Sequence, residues 1–145
     1  MSRAAVGVSA IVVNRSTRSL LMIKREHEPY KGLWTLPGGK LEYGESLADG
    51  MKREVQEETG AAISSIPSIE YFVNEIISDD SHYVIVTGVF DYAGMHDTVS
   101  AESMTIHREW MSIDAVLDRV TDDNSPPRVA PLLRKVWPCL VSLCK

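Results

Sequence analysis

The 145-residue chain has little cysteine: only Cys139 and Cys144. Five positions apart in a stretch of helical periodicity, they fall on different faces, so both read as free thiols and no disulfide framework is expected. Long hydrophobic runs are also missing, since nothing approaches the roughly 18 apolar residues of a membrane span. The apolar stretch from Ala4 to Val13 is rich in Val and Ile and runs straight into Asn14-Arg15, which suits a first strand better than a signal-peptide core. Without a targeting signal or paired thiols, the expected location is cytoplasmic. The sequon Asn14-Arg15-Ser16 is then a chance match. Positive charge is short as well. A net charge of −5 and a pI near 5.3 exclude a general nucleic-acid binder, which needs a basic face to displace counterions from phosphates. Nine Gly and seven Pro are too few for a low-complexity linker or a collagen-like repeat. What is present is 44% hydrophobic residues, enough for one packed core, and no internal repeat, so residues 1–145 read as a single domain.

Two β-rich runs open the chain, Val6 to Val13 and Leu20 to Lys24, joined by a polar link that predicts a hairpin. Tyr30 to Gly44 holds Pro37 and four glycines, too many breakers for a regular element. Ser46 then offers an N-cap for a helix reaching Thr59, with Gly60 placed to end it in the left-handed conformation. Runs Ile66 to Ile77 and His82 to Phe90, separated by Ser78-Asp79-Asp80-Ser81, predict a second hairpin. A strand over Met104 to Met111 follows, then a short helix capped by Ser112 and reaching Val120. Apolar residues at helical spacing predict a last helix over Pro131 to Leu143, kinked or divided at Pro138. Strands mixed with helices in this order suggest a sheet sandwiched between helices.

The chemistry concentrates in the helix that carries Arg53-Glu54-Val55-Gln56-Glu57-Glu58. At about 100° per residue with Glu54 at zero, Glu57 falls near 300° and Glu58 near 40°, so the three carboxylates share one face. Met51 and Val55 fall on the same side of the wheel, which turns Glu58 inward or to the edge of the core. A solvated acidic stripe is the bland alternative, but three like charges within one turn repel. A multivalent cation resolves that, and Mg²⁺ or Mn²⁺ takes carboxylate oxygens, waters and substrate phosphates. Arg53 can pair with Glu57 or reach back to Glu45, fixing a carboxylate. The glycines before the helix allow close backbone approach to a metal or phosphate. They do not make a Walker A loop, because Glu45 stands where its Lys is required. Zinc-type His-Glu-x-x-His and nucleophile-elbow Gly-x-Ser-x-Gly patterns are absent.

With Gly39, Glu45, Arg53, Glu54, Glu57, Glu58 and Gly60 all in register, residues 39 to 61 resemble the Nudix box. Only Ala61 is smaller than the aliphatic residue usual there. Leu33 to Gly39 resembles the approach to that box, and His82 to Val86 resembles the small MutT-like members. The resemblance implies an α/β (α+β) fold, a Nudix-like α/β/α sandwich with a mixed β-sheet between helices. It implies Mg²⁺, with Mn²⁺ as a substitute, held by Glu54, Glu57, Glu58 and the Gly39 carbonyl, with Glu54 or Glu58 as general base. Glu102, before the last strand, is the candidate extra ligand, against the reading of a solvated loop carboxylate. The implied reaction is hydrolysis of a normal or modified nucleoside or deoxynucleoside triphosphate to the monophosphate and pyrophosphate. ADP-ribose and dinucleoside polyphosphates are alternative substrates, and a silent nucleotide-binding module is the rival function. Candidate substrate contacts are Trp34, a stacking surface or a core aromatic; His82, facing a cleft or ending a strand; and Asn124, reading a base edge or closing a turn. The expected partner is a small nucleotide, with no membrane and no stable nucleic-acid binding; a homodimer stays open.

Overall fold

A computed structural model describes residues 3–96 and 106–145. Strand β1 (Ala5–Asn14) is apolar at successive positions because it lies mid-sheet with both faces covered. One edge runs parallel to β7 (His82–Met95), from Ala5↔Tyr83 to Val13↔Asp91. The other edge changes partner along its length. Val13 and Asn14 pair with Leu20 and Ser19 of β2 (Ser19–Lys24), whereas Gly7 to Ser9 pair with Lys40 to Gly38 of β4 (Gly38–Lys40). At the fork the Ala10 N–H donates to the Pro37 carbonyl at 3.0 Å. The expected first hairpin is therefore present but short. Beyond the fork β2 pairs with β3 (Trp34–Thr35) and β8 (Arg108–Ser112). The Gly/Pro stretch, expected to be irregular, thus supplies two short strands.

Helix α1 (Leu47–Thr59) covers one face of the sheet, packing Met51 and Val55 on Val8, Ala10, Val12, Leu21 and Phe90. The opposite face carries α2 (Val116–Arg119) and α3 (Val129–Leu143), whose Leu133, Val136 and Leu140 meet Ile11, Val13, Leu20, Met22 and Met111. Strand side chains alternate between faces, so β1 gives Ala10 and Val12 to one core and Ile11 and Val13 to the other. The result is the expected α/β/α sandwich around a mixed sheet.

Several elements differ from expectation, among them β7, which runs on past Phe90 to Met95. The run Ile66 to Ile77 is not one strand: β5 (Ala61–Ser65) and β6 (Phe72–Ile77) flank a turn in which the Ile69 N–H donates to the Ile66 carbonyl across Pro67, a residue without a donor. Both strands are antiparallel to β7, so the second hairpin, β6 with β7, stands as expected. Strand β8 begins at Arg108, and residues 104 and 105 lie outside the described residues. Ser112 caps a turn through the Asp114 N–H at 3.2 Å, and α2 starts only at Val116. Pro138 does not divide α3, which runs unbroken through it; that residue is exposed, while Leu133, Val136 and Leu140 on the buried face hold both halves to the sheet. Cys139 and Cys144 are both free. No helix among the described residues is long and apolar enough to cross a membrane.

Candidate functional site

Helix α1 is bounded as its sequence dictates. Ser46 accepts a hydrogen bond from the Asp49 N–H at 3.1 Å, and Gly60, at φ +76°, donates to the Gln56 carbonyl at 2.9 Å. Those limits, with Met51 and Val55 buried, set the rotation of the helix and turn Arg53, Glu54, Glu57 and Glu58 toward β4 and the loop after it.

Arg53 is the hub. Its Nε and Nη2 grip Glu45 Oε2 and Oε1 at 3.0 and 2.7 Å, a bidentate pair that fixes both planes. Nη1 reaches Glu54 at 2.8 Å and Glu57 at 3.3 Å, and Nη2 also donates to the Lys40 carbonyl at 2.9 Å. Both alternatives read from the sequence, Glu45 and Glu57, are therefore realised at once. Glu45 also accepts the Glu42 N–H at 2.8 Å. Arg53 and, secondarily, that N–H pull the Glu45 carboxyl down to about 2, and the same carboxylates push the Arg53 guanidinium above its ordinary range.

Beneath the helix the two glycines do different work. The Gly38 N–H donates to Glu58 Oε1 at 2.7 Å, tying that carboxylate to the strand. Gly39 lies under Glu54: a Cβ there would stand 2.5 Å from Glu54 Oε1, so the space that the carboxylate occupies exists only because the side chain is missing. Main-chain partners such as the Gly38 N–H and the Lys40 carbonyl leave no trace in a side-chain pattern, and sequence reasoning missed them.

The site therefore gathers oxygen donors on one helix face above a glycine backbone, the hard-ligand chemistry that suits Mg²⁺. Among the described residues no three acidic, His or Cys side chains converge as a ready metal cage. In this arrangement Arg53 supplies the positive charge between Glu45, Glu54 and Glu57.

The remaining candidates lie apart. Trp34 sits on the α3 side, with Lys24 Nζ 4.8 Å above its ring and His107 tilted against it. Its main-chain N–H donates to the Asn124 carbonyl at 2.8 Å, which brings the two backbones together. The Asn124 side chain is engaged in its own turn, accepting from the Thr121 N–H and donating to the Arg119 carbonyl, both at 2.8 Å. His82 pairs with Glu75 at 3.2 Å. It precedes Thr87, whose level on β7 is joined through Ser9 to Gly38, by five residues, roughly 16 Å along the strand at ~3.3 Å per residue. The structure does not bring His82 to the carboxylates. Glu102 lies outside the described residues.

Comparison with known proteins agrees with this construction. Residues 3–134 match the family model described as the NUDIX domain. An ADP-ribose pyrophosphatase of Methanocaldococcus jannaschii is 33% identical over 94 residues, 62% of this chain and 52% of the relative. A putative 8-oxo-dGTP diphosphatase of Bacillus subtilis is 36% identical over 76 residues, 52% of this chain and 48% of the relative. The chain thus spans about half the length of these curated relatives. Among solved structures, a MutT NUDIX hydrolase from Burkholderia pseudomallei superposes with a TM-score of 0.70 at 24% identity, covering 93% of this chain and 99% of that one. A box in register with the motif, a helix and glycine strand that realise it, and a family match along most of the sequence converge: the chain belongs to the Nudix family.

Proposed function

We propose that the protein hydrolyses the diphosphate linkage of a nucleoside diphosphate derivative, with ADP-ribose or a close relative of it as substrate. The observation that carries this reading is the set of Glu45, Glu54 and Glu57 organised by Arg53 beside Glu58, which Gly38 tethers. A nucleotide-binding module without turnover has no need of so many positioned carboxylates. The expectation of a triphosphate substrate gives way to ADP-ribose because the relative named for ADP-ribose aligns over a longer stretch than the one named for 8-oxo-dGTP.

Glu54, Glu57, Glu58 and the Gly39 carbonyl would hold Mg²⁺. When bound, the ion neutralises phosphate oxygens and lowers the pKa of an attacking water. The rest falls to the chain itself. Glu45 holds Arg53, which keeps Glu54 and Glu57 from drifting apart or folding into solvent. The Gly38 N–H holds Glu58 against the strand. Glu54 or Glu58 accepts the proton of the attacking water. The in-line attack breaks the phosphoanhydride and releases two phosphate-bearing products.

The test is a substrate panel at fixed Mg²⁺, comparing kcat/KM for ADP-ribose, nucleotide sugars, dinucleoside polyphosphates and natural and modified triphosphates. A tenfold lead for ADP-ribose, about 1.4 kcal/mol of differential transition-state binding, is the expected result. A triphosphate ahead by that margin would restore the MutT-like reading. Binding of a nucleotide with no product from any would leave the silent module.

A further inference from the structure

Strand β6 leaves one of its edges open. It pairs with β7 from Phe72↔Thr87 to Ile77↔His82, and no other strand among the described residues pairs with it. The turn fixes which residues point outward. The Ser78 N–H donates to the Ser81 carbonyl at 2.8 Å, so in the alternation of an antiparallel ladder Ile76, Asn74 and Phe72 bond to β7. Val73, Glu75 and Ile77 therefore turn their N–H and C=O groups to the open edge. The same three residues stand on the α1 face of the sheet, since Val73 is opposite Val86 of the core beneath α1. There Val73 is 64% and Ile77 67% exposed.

An open edge is ordinarily guarded by proline, lysine or a bulge. Phe72 to Ile77 holds none of them, and its register with β7 is continuous. Its one charge is Glu75, and His82 Nε2 lies 3.2 Å from that carboxylate. His82, which stands away from Glu54, Glu57 and Glu58, thus has a place here: it engages the charge at the centre of the edge.

The spacing selects the occupant. Val73 and Ile77 lie two residues either side of Glu75, so the outward set is symmetric about Glu75 and complementary to itself. A second copy running antiparallel, with Glu75 on the two-fold axis, sets Val73 of each copy opposite Ile77 of the other, and all three residues exchange main-chain bonds. A slip of register in either direction leaves one of them unmatched. Strand β6 brings 6 residues a side, far short of the roughly 20–30 of a standard interface, which makes the association weak and dependent on concentration.

We propose that the protein forms a two-fold dimer in which β6 pairs with β6 of a second copy, centred on Glu75, so that the two sheets join into one. The inference is independent of the substrate. Strands β1 and β7 separate β6 from β4 and the carboxylates above it, which leaves both sites open in the dimer.

Sedimentation velocity from about 5 to 500 µM should show monomer passing to dimer, as an interface of this size requires. Val73→Lys spoils the Val73 to Ile77 match at both ends of the paired strands and should weaken association about tenfold or more, with an unchanged circular dichroism spectrum. Glu75→Gln removes like charges that face each other on the axis and should tighten it about threefold. Disulfide trapping reads the register. In a Cys139→Ser background, Glu75→Cys should cross-link on oxidation, because the two positions face each other. Val73→Cys should not, its two copies lying about 13 Å apart along the ladder at ~3.3 Å per residue. A monomer at every concentration would overturn the dimer, as would Val73→Lys associating like the unaltered chain. Cross-linking through Val73→Cys in place of Glu75→Cys would overturn the centring on Glu75. Ile77→Lys, at the other end of the strand, repeats the test should Val73→Lys fail to fold.

Discussion

Adding one methyl group at Gly39 should separate activity from stability. In Gly39→Ala the new Cβ would stand 2.5, 2.6 and 2.7 Å from Glu54 Oε1, Cδ and Oε2. Attractive contacts between carbon atoms begin at about 3.5 Å, so the carboxylate has to retreat by about 1 Å. A displacement of that size at a reacting centre costs on the order of 10²-fold in rate, about 2.7 kcal/mol of transition-state stabilisation. Stability should fall by less than about 1 kcal/mol, below the usual overpacking range, because what moves is the far end of a flexible side chain. Its neighbour behaves differently. A Cβ at Gly38 would strike the Val8 carbonyl oxygen and stand 2.8 Å from Ser9 Cβ, in the most enclosed strand of the sheet. Gly38→Ala should therefore lose folding, by about 1–3 kcal/mol or more. Urea melts and kcat on the preferred substrate read the two effects. The cause is isolated by a double-mutant cycle: in a Glu54→Ala background, Gly39→Ala should cost nothing further. Additive losses in that cycle would refute the steric argument.

Glu58→Gln keeps an acceptor for the Gly38 N–H while removing the charge, and turnover should drop roughly 10²–10⁴-fold with folding retained, as steady-state kinetics and circular dichroism would show. Glu45 holds its proton only below about 2 in the folded chain, against an ordinary 4.5 when unfolded, so the unfolded state binds more protons between these values. The Glu45 contribution to stability is thus complete above pH 4.5 and lost as pH falls through 2. Glu45→Gln should flatten the dependence of melting temperature on pH across that window. Chelating divalent metal should lower the melting temperature relative to millimolar Mg²⁺, since the ion would bind only the folded arrangement; superimposable melts would count against a preformed site. Leu133→Ala, which opens a cavity beneath α3, should cost about 2–5 kcal/mol in a urea melt and leave KM unchanged.

The parts of the molecule that were legible in the sequence are those governed by local rules. Ser46 and Gly60 bound α1 because capping is decided within four residues, and the rotation fixed by the buried Met51 and Val55 sets Glu54 over Gly39 and Glu58 on the Gly38 N–H. What was not legible depends on distant partners. Gly38 to Lys40 extends only because β1 offers an unpaired edge there, and Ala61 to Ser65 becomes β5 only against the far end of β7. Trp34 and Asn124 gave no sign of meeting, since they are joined by a main-chain bond between segments far apart in the sequence. The Asn124 amide illustrates the opposite case: its turn, the bland reading, uses both ends of the side chain.

The parallel pairing of β1 with β7 has a kinetic consequence. Ala5 to Val13 must find Tyr83 to Asp91, so the middle of the sheet is held by contacts between segments far apart in the chain. Closing so long a loop delays any reward from those hydrogen bonds, and folding rates fall as the separation of contacting residues grows. During synthesis the apolar β1 emerges before β7 and waits, unpaired on that edge, until β7 has left the ribosome. Helix α1 and the hairpin of β6 with β7 contain only local contacts and are free to form early. A stopped-flow experiment should find the Ser9 hydroxyl contact with Thr87, 2.6 Å long and buried at this junction, among the last to be secured: Thr87→Val should speed unfolding far more than it slows folding.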